Sequence, residues 1–60
     1  MKFIKVTLFE TEAPAWLNPA LIEAVQPRPD GGAFIWVTAN GSPYEVEETA
    51  DVVLKGIKAA

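Results

Sequence analysis

The sequence predicts an α+β fold: a small antiparallel β-sheet of four or five strands closed by one C-terminal α-helix. Three observations carry this expectation. Residues 2–9 alternate loosely between apolar and polar positions, the period of a half-buried strand. Asn40-Gly41 separates two strand-like runs, Phe34-Ile35-Trp36-Val37-Thr38 and Tyr44-Glu45-Val46. That dipeptide tolerates the positive φ that a two-residue hairpin turn needs at both central positions. Ala50, Val53, Leu54 and Ile57 then fall at i, i+3, i+4 and i+7, one apolar helical stripe.

In chain order, the first strand places Ile4, Val6 and Leu8 on one face and Phe3, Lys5, Thr7 and Phe9 on the other. Residues 10–14 are acidic and end in proline, a loop, and Ala15-Trp16-Leu17 reads as the return arm of a hairpin. Asn18-Pro19 is a turn dipeptide that holds Asn18 extended. Residues 20–26 are ambiguous. Leu21, Ile22 and Val25 have helical spacing, yet the run is short and bounded by Pro19 and Pro27. A strand is the preferred reading, with one helical turn after Pro19 as the alternative. The stretch from Pro27 to Gly32 is a turn. Thr49 is the expected helix N-cap, with Asp51 in the first turn and Lys55 and Lys58 in the last. Gly56, inside that helix, allows close backbone approach.

Size and composition bound the rest. Sixty residues allow a single domain, 1–60. Domains this small usually lean on disulfides, a metal or oligomerisation. The chain has no Cys and no His, so it lacks disulfides, thiolate ligands and the commonest acid–base group. Oligomerisation is the device left. The net charge is −3, and the five cations, Lys2, Lys5, Arg28, Lys55 and Lys58, form no run. Phosphate neutralisation needs clustered cations, so nucleic acid is not the expected partner. No apolar stretch approaches the ~20 residues of a membrane span, so membrane insertion is not expected and a cytoplasmic location is.

A family resemblance rests on Leu17-Asn18-Pro19-x-Leu21-Ile22-Glu23-x-Val25, then Pro29-Asp30, Val37-Thr38-x-Asn40-Gly41, Val46-x-Glu48-Thr49 and Val53-x-x-x-Ile57. This pattern resembles the short FlbD-like swarming motility proteins, encoded among flagellar genes in many bacteria, over roughly residues 3–58. The resemblance implies a small sheet closed by a C-terminal helix and a role in flagellar motility, with no established active site. The first loop, Glu10-Thr11-Glu12-Ala13-Pro14, stands where that pattern usually has a tighter glycine turn. The sheet also carries an added aromatic load in Trp16, Phe34 and Trp36.

Little in the chain suggests chemistry. Glu45, Glu47, Glu48 and Asp51 form an acidic cluster that could hold a divalent ion, but alternation and the helix N-terminus explain them as solvated or dipole-favoured carboxylates. Asp30-Gly31-Gly32 precedes a strand, not the helix a phosphate loop requires. The hydroxyls of Thr7, Thr11, Thr38, Ser42 and Thr49 have no histidine to act as their base. No catalytic, cofactor or metal residue is assigned, and the protein is not expected to be an enzyme.

The aromatic residues carry the functional expectation. Phe34 and Trp36 face away from Ile35 and Val37 on one strand, and one small core can cover only one of those faces. Phe34, Trp36 and Tyr44 are therefore the expected interface of a homodimer or higher oligomer. Glu10, Glu12, Trp16 and Arg28 are the expected contacts to a different protein. The chain is read as a small non-enzymatic protein-binding module like the motility accessory proteins. The alternative is a phage- or prophage-encoded small protein that binds and inhibits a host factor.

Overall fold

The computed structural model describes residues 2–38 and 40–60. In chain order the elements are β1 (Ile4–Thr7), β2 (Pro14–Leu17), a single 3₁₀ turn (Pro19–Leu21), β3 (Ile22–Pro27), β4 (Ala33–Val37), β5 (Tyr44–Val46) and α1 (Ala50–Ala59). The strands form two antiparallel sheets, β1-β2 and β3-β4-β5. One bridge joins them. Leu8 pairs antiparallel with Val46, Phe9 N–H donates to the Glu45 carbonyl at 2.8 Å, and Glu47 N–H donates to the Thr7 carbonyl at 2.9 Å. The α+β class expected from the sequence is the class observed, with five strands and one C-terminal helix.

The core lies between the inner strand faces and the helix. Ile4 and Val6 of β1, Leu17 of β2, Ala33 and Ile35 of β4, Val46 of β5 and Val53 of α1 are all buried. They are the alternating positions of each strand, as the period of two requires. Helix α1 rests against β1, β3 and β4. Thr49 caps it as expected: its Oγ1 accepts the Val52 N–H at 3.3 Å, and Asp51 sits in the first turn.

Three local expectations are corrected. The first concerns the hairpin between β4 and β5. A two-residue turn at Asn40-Gly41 would set Val37 opposite Tyr44; instead Ile35 faces Tyr44 and Ala33 faces Val46. The strands are thus offset by two residues, an even shift that keeps every side chain on its expected face. Pro43 has no N–H to offer a ladder, and Thr38 continues the β3-β4 register, its N–H donating to the Leu21 carbonyl at 2.8 Å. Gly41 does not adopt a left-handed φ, and Ala39 lies outside the described residues.

The second concerns residues 20–26. Both readings hold in part: one 3₁₀ turn follows Pro19, with the Asn18 side chain accepting the Ala20 N–H, and a strand follows the turn. A bulge between Ile22 and Ala24 inserts Glu23 into β3. The extra residue puts Ile22 and Val25, three apart, on the same inward face opposite Val37 and Ile35. That bulge is the source of the helix-like spacing.

The third concerns the helix stripe. Val53 is buried and Ala50 and Ile57 pack against the core, but Leu54 is 48% exposed. The sheet is too narrow to cover the whole stripe.

Candidate interaction surface

The hairpin β1-β2 has an inner and an outer face. Lys5 stands directly opposite Trp16 in the register, and both point outward because Ile4, Val6 and Leu17 point in. Phe3 precedes Lys5 by two and shares its side. Phe3 and Trp16 are each 59% exposed, and the Lys5 ammonium lies 5.9 Å from the Trp16 ring centroid. This face thus carries two exposed aromatic side chains, with the cation beside Trp16. Aromatic side chains combine large contact area with low entropic cost, so such a pair is suited to recognising another protein. Trp16 was expected on this surface. Phe3 was not, although the alternation of residues 2–9 already placed it beside Lys5.

Glu10 and Glu12 sit in the four-residue loop at the far end of the same hairpin, and both are exposed. Leu8 N–H donates to the Ala13 carbonyl and Glu12 N–H to the Leu8 carbonyl, each at 2.9 Å. Glu12 takes a left-handed φ of 57°. Glycine is the residue that adopts this geometry without steric cost, so the loop does the work of a glycine turn with a glutamate.

Arg28 is corrected. It turns inward, its side chain only 9% exposed. Its guanidinium carbon lies 4.0 Å from the centroid of the Phe9 ring and 5.6 Å from that of Phe34. Nη2 pairs with Asp30 Oδ2 at 2.8 Å and approaches Glu45 Oε1 at 3.7 Å, while Nη1 is buried with no partner among the described residues. The cation is a staple between the β3-β4 turn, the first hairpin loop and the outer face of β4.

The three residues expected at an oligomer interface are divided between two faces. Phe34 and Trp36 do share the outer face of the three-stranded sheet, but both are half-buried, Phe34 beneath Arg28. Tyr44 does not join them. It faces Ile35 across the ladder and packs against the core. The three residues form no single exposed surface.

Several polar residues have structural partners. Glu48 accepts both the Thr7 N–H and the Thr7 hydroxyl, and Asp30 Oδ1 accepts the Gly32 N–H in the β3-β4 turn. Thr11 Oγ1 accepts the Ala13 N–H, and the Thr38 hydroxyl donates to the Leu21 carbonyl. Among the described residues no three Asp or Glu side chains converge on a metal-sized site. A cleft of about 320 Å³ opens between β1 and α1, lined by Phe3, Ile4, Lys5, Val52, Val53 and Gly56 among others. Among the described residues no helix is long and apolar enough to cross a membrane.

The family model of the flagellar and swarming motility proteins, FlbD, matches residues 3–60. The chain belongs to this family. The match spans every element from β1 to α1, including the Leu17-Asn18-Pro19 segment and the capped helix on which the resemblance rested. It bears out the motility reading and lends no support to a phage-borne origin. No curated protein and no solved structure matches the chain significantly.

Proposed function

We propose that this motility-family protein is a non-catalytic accessory that docks another protein on the outer face of hairpin β1-β2. The carrying observation is that Phe3 and Trp16 are both exposed on the face of Lys5, whose ammonium lies beside Trp16. Large apolar side chains left in water beside a cation cost solubility and are usually kept for a partner. Support for a non-enzymatic role comes from Asp30, Glu45, Glu48 and four of the threonines, which are engaged in caps, turns and ion pairs. A chain without cysteine fits a reducing compartment, so we place the docking on the cytoplasmic side of the flagellar apparatus.

The test places a photoreactive side chain at position 16 in swarming cells. Cross-linking should join the protein to one discrete protein partner. The exposed substitution Trp16→Ala should leave the melting temperature nearly unchanged and slow swarm expansion. Normal swarming by Trp16→Ala, together with no cross-link from position 16, overturns the reading.

A further inference from the structure

The backbone of β1 offers hydrogen bonds on two edges. Leu8 N–H donates toward β2, to the Ala13 carbonyl. Groups on an antiparallel strand alternate, so Ile4, Val6 and Leu8 bond β2 while Phe3, Lys5, Thr7 and Phe9 address the opposite edge. The far end of that edge is filled. Glu45 and Glu47 of the β5 segment take Phe9 N–H and the Thr7 carbonyl, and Glu48 Oε1 takes Thr7 N–H at 2.8 Å. The chain then turns away into α1. Phe3 and Lys5 are left with no backbone partner on that side among the described residues. The lane that β5 vacates is the cleft of about 320 Å³ between β1 and α1.

Charge is distributed unevenly around this lane. Lys2 and Lys5 line it, and Lys55 is exposed one helical turn beyond Val52. Of the eight acidic residues only Glu48 lines it, and Glu48 is already engaged by Thr7. Two of the five cations of an acidic chain thus line one cleft.

We infer that the free edge of β1 takes a short, extended, acidic segment of a partner protein as an added strand. This inference deepens the docking reading above and rests on it. The incoming segment continues the lane of β5 and bonds the Phe3 and Lys5 backbone groups. Side chains of an added strand alternate, so one set points into the cleft toward Val52 and Gly56 and the other emerges beside Lys5. Small apolar residues suit the first set and carboxylates the second. Val52, 54% exposed on α1, supplies the apolar wall.

The probe is an acetylated octapeptide of alternating glutamate and valine, titrated into isotopically labelled full-length protein and followed by amide NMR. Saturable shifts are expected at Phe3, Lys5, Val52 and Gly56, with the Lys5 amide gaining exchange protection. The same octapeptide with lysine for glutamate should bind at least about tenfold more weakly. Val52→Glu should abolish the shifts, and Lys2→Glu with Lys5→Glu serves as an independent variant should Val52→Glu not fold. Shifts elsewhere, no shifts, or equal binding of the lysine peptide overturn the inference. So does Lys5 protection that grows with protein concentration without peptide, which assigns the edge to a second copy. Cross-links from position 16 that persist in Val52→Glu dismiss the cleft but leave hairpin docking standing. Peptide binding with no such cross-link dismisses hairpin docking and leaves the cleft.

Discussion

Glu48 holds Thr7 with both carboxylate oxygens: Oε1 accepts the backbone N–H at 2.8 Å and Oε2 accepts the hydroxyl at 3.0 Å. These residues are 41 positions apart, and their pairing ties the end of β1 to the approach of α1. Hydrogen bonds to a charged group contribute about 1.5–3 kcal/mol when shielded from water, and this pair is only partly buried. Glu48→Ala should therefore lower unfolding stability by about 1–2 kcal/mol in urea titration. Thr7→Val, which removes only the hydroxyl, should lose less. Equal stability of Glu48→Ala and the parent would show that water replaces the carboxylate without loss.

Arg28 should tolerate no simple replacement. Its flat cation stacks on Phe9 while Nη2 reaches Asp30. Lysine keeps the charge but has no planar group to lay on the Phe9 ring while it reaches Asp30. Arg28→Lys should destabilise by about 1–2 kcal/mol, and Arg28→Ala by more. A thermal melt of both variants checks the order.

Gly32 is the glycine with no room. A Cβ built there collides with the Val46 carbonyl oxygen, a backbone atom of β5, so relief requires the strands to separate. Gly32→Ala should cost more than about 2 kcal/mol, within the range for overpacking. Gly41, with nothing within 4 Å among the described residues, should accept alanine nearly without effect. Comparable melting of the two variants would contradict this.

Glu12 should be improvable. A non-glycine residue at φ 57° carries a steric cost of about 1–2 kcal/mol. Glu12→Gly recovers that cost but loosens the unfolded chain, so the net gain should be about 0.5–1 kcal/mol. Denaturant titration should show a higher midpoint with an unchanged slope.

Within the helix, Val53 and Leu54 should behave oppositely. Val53 is buried against Ile4 and Ile35 in one cluster, whereas Leu54 is half exposed. Val53→Ala should cost about 1–3 kcal/mol and Leu54→Ala under about 1 kcal/mol. Paired thermal melts decide it.

Much of the fold was legible because it depends on period and local chemistry. The inward set Ile4, Val6 and Ile35, the Thr49 cap and the turn through Asp30-Gly31 each follow from residues a few positions apart. Even the misread β4-β5 register kept its faces, because an even offset does not invert a period of two. The bulge at Glu23 broke that period and imitated a helix. Trp16 and the loop acids were legible as exposed residues, and the hairpin register already set Tyr44 on the face of Val37, whereas the inward turn of Arg28 was not legible.

Outside residues 20–26, the element types, the apolar strand faces, the Thr49 cap and the family were readable from the sequence, since each is written in neighbouring residues. Tertiary structure alone decided which aromatic side chains stay in water. Phe34 is covered by Arg28, and Phe3 and Trp16 are left uncovered. It also decided that β5 leaves the edge of β1 after Glu48. Both outcomes depend on which strands become neighbours, and neighbours distant in sequence are chosen by the packing of the whole chain, not by any local pattern.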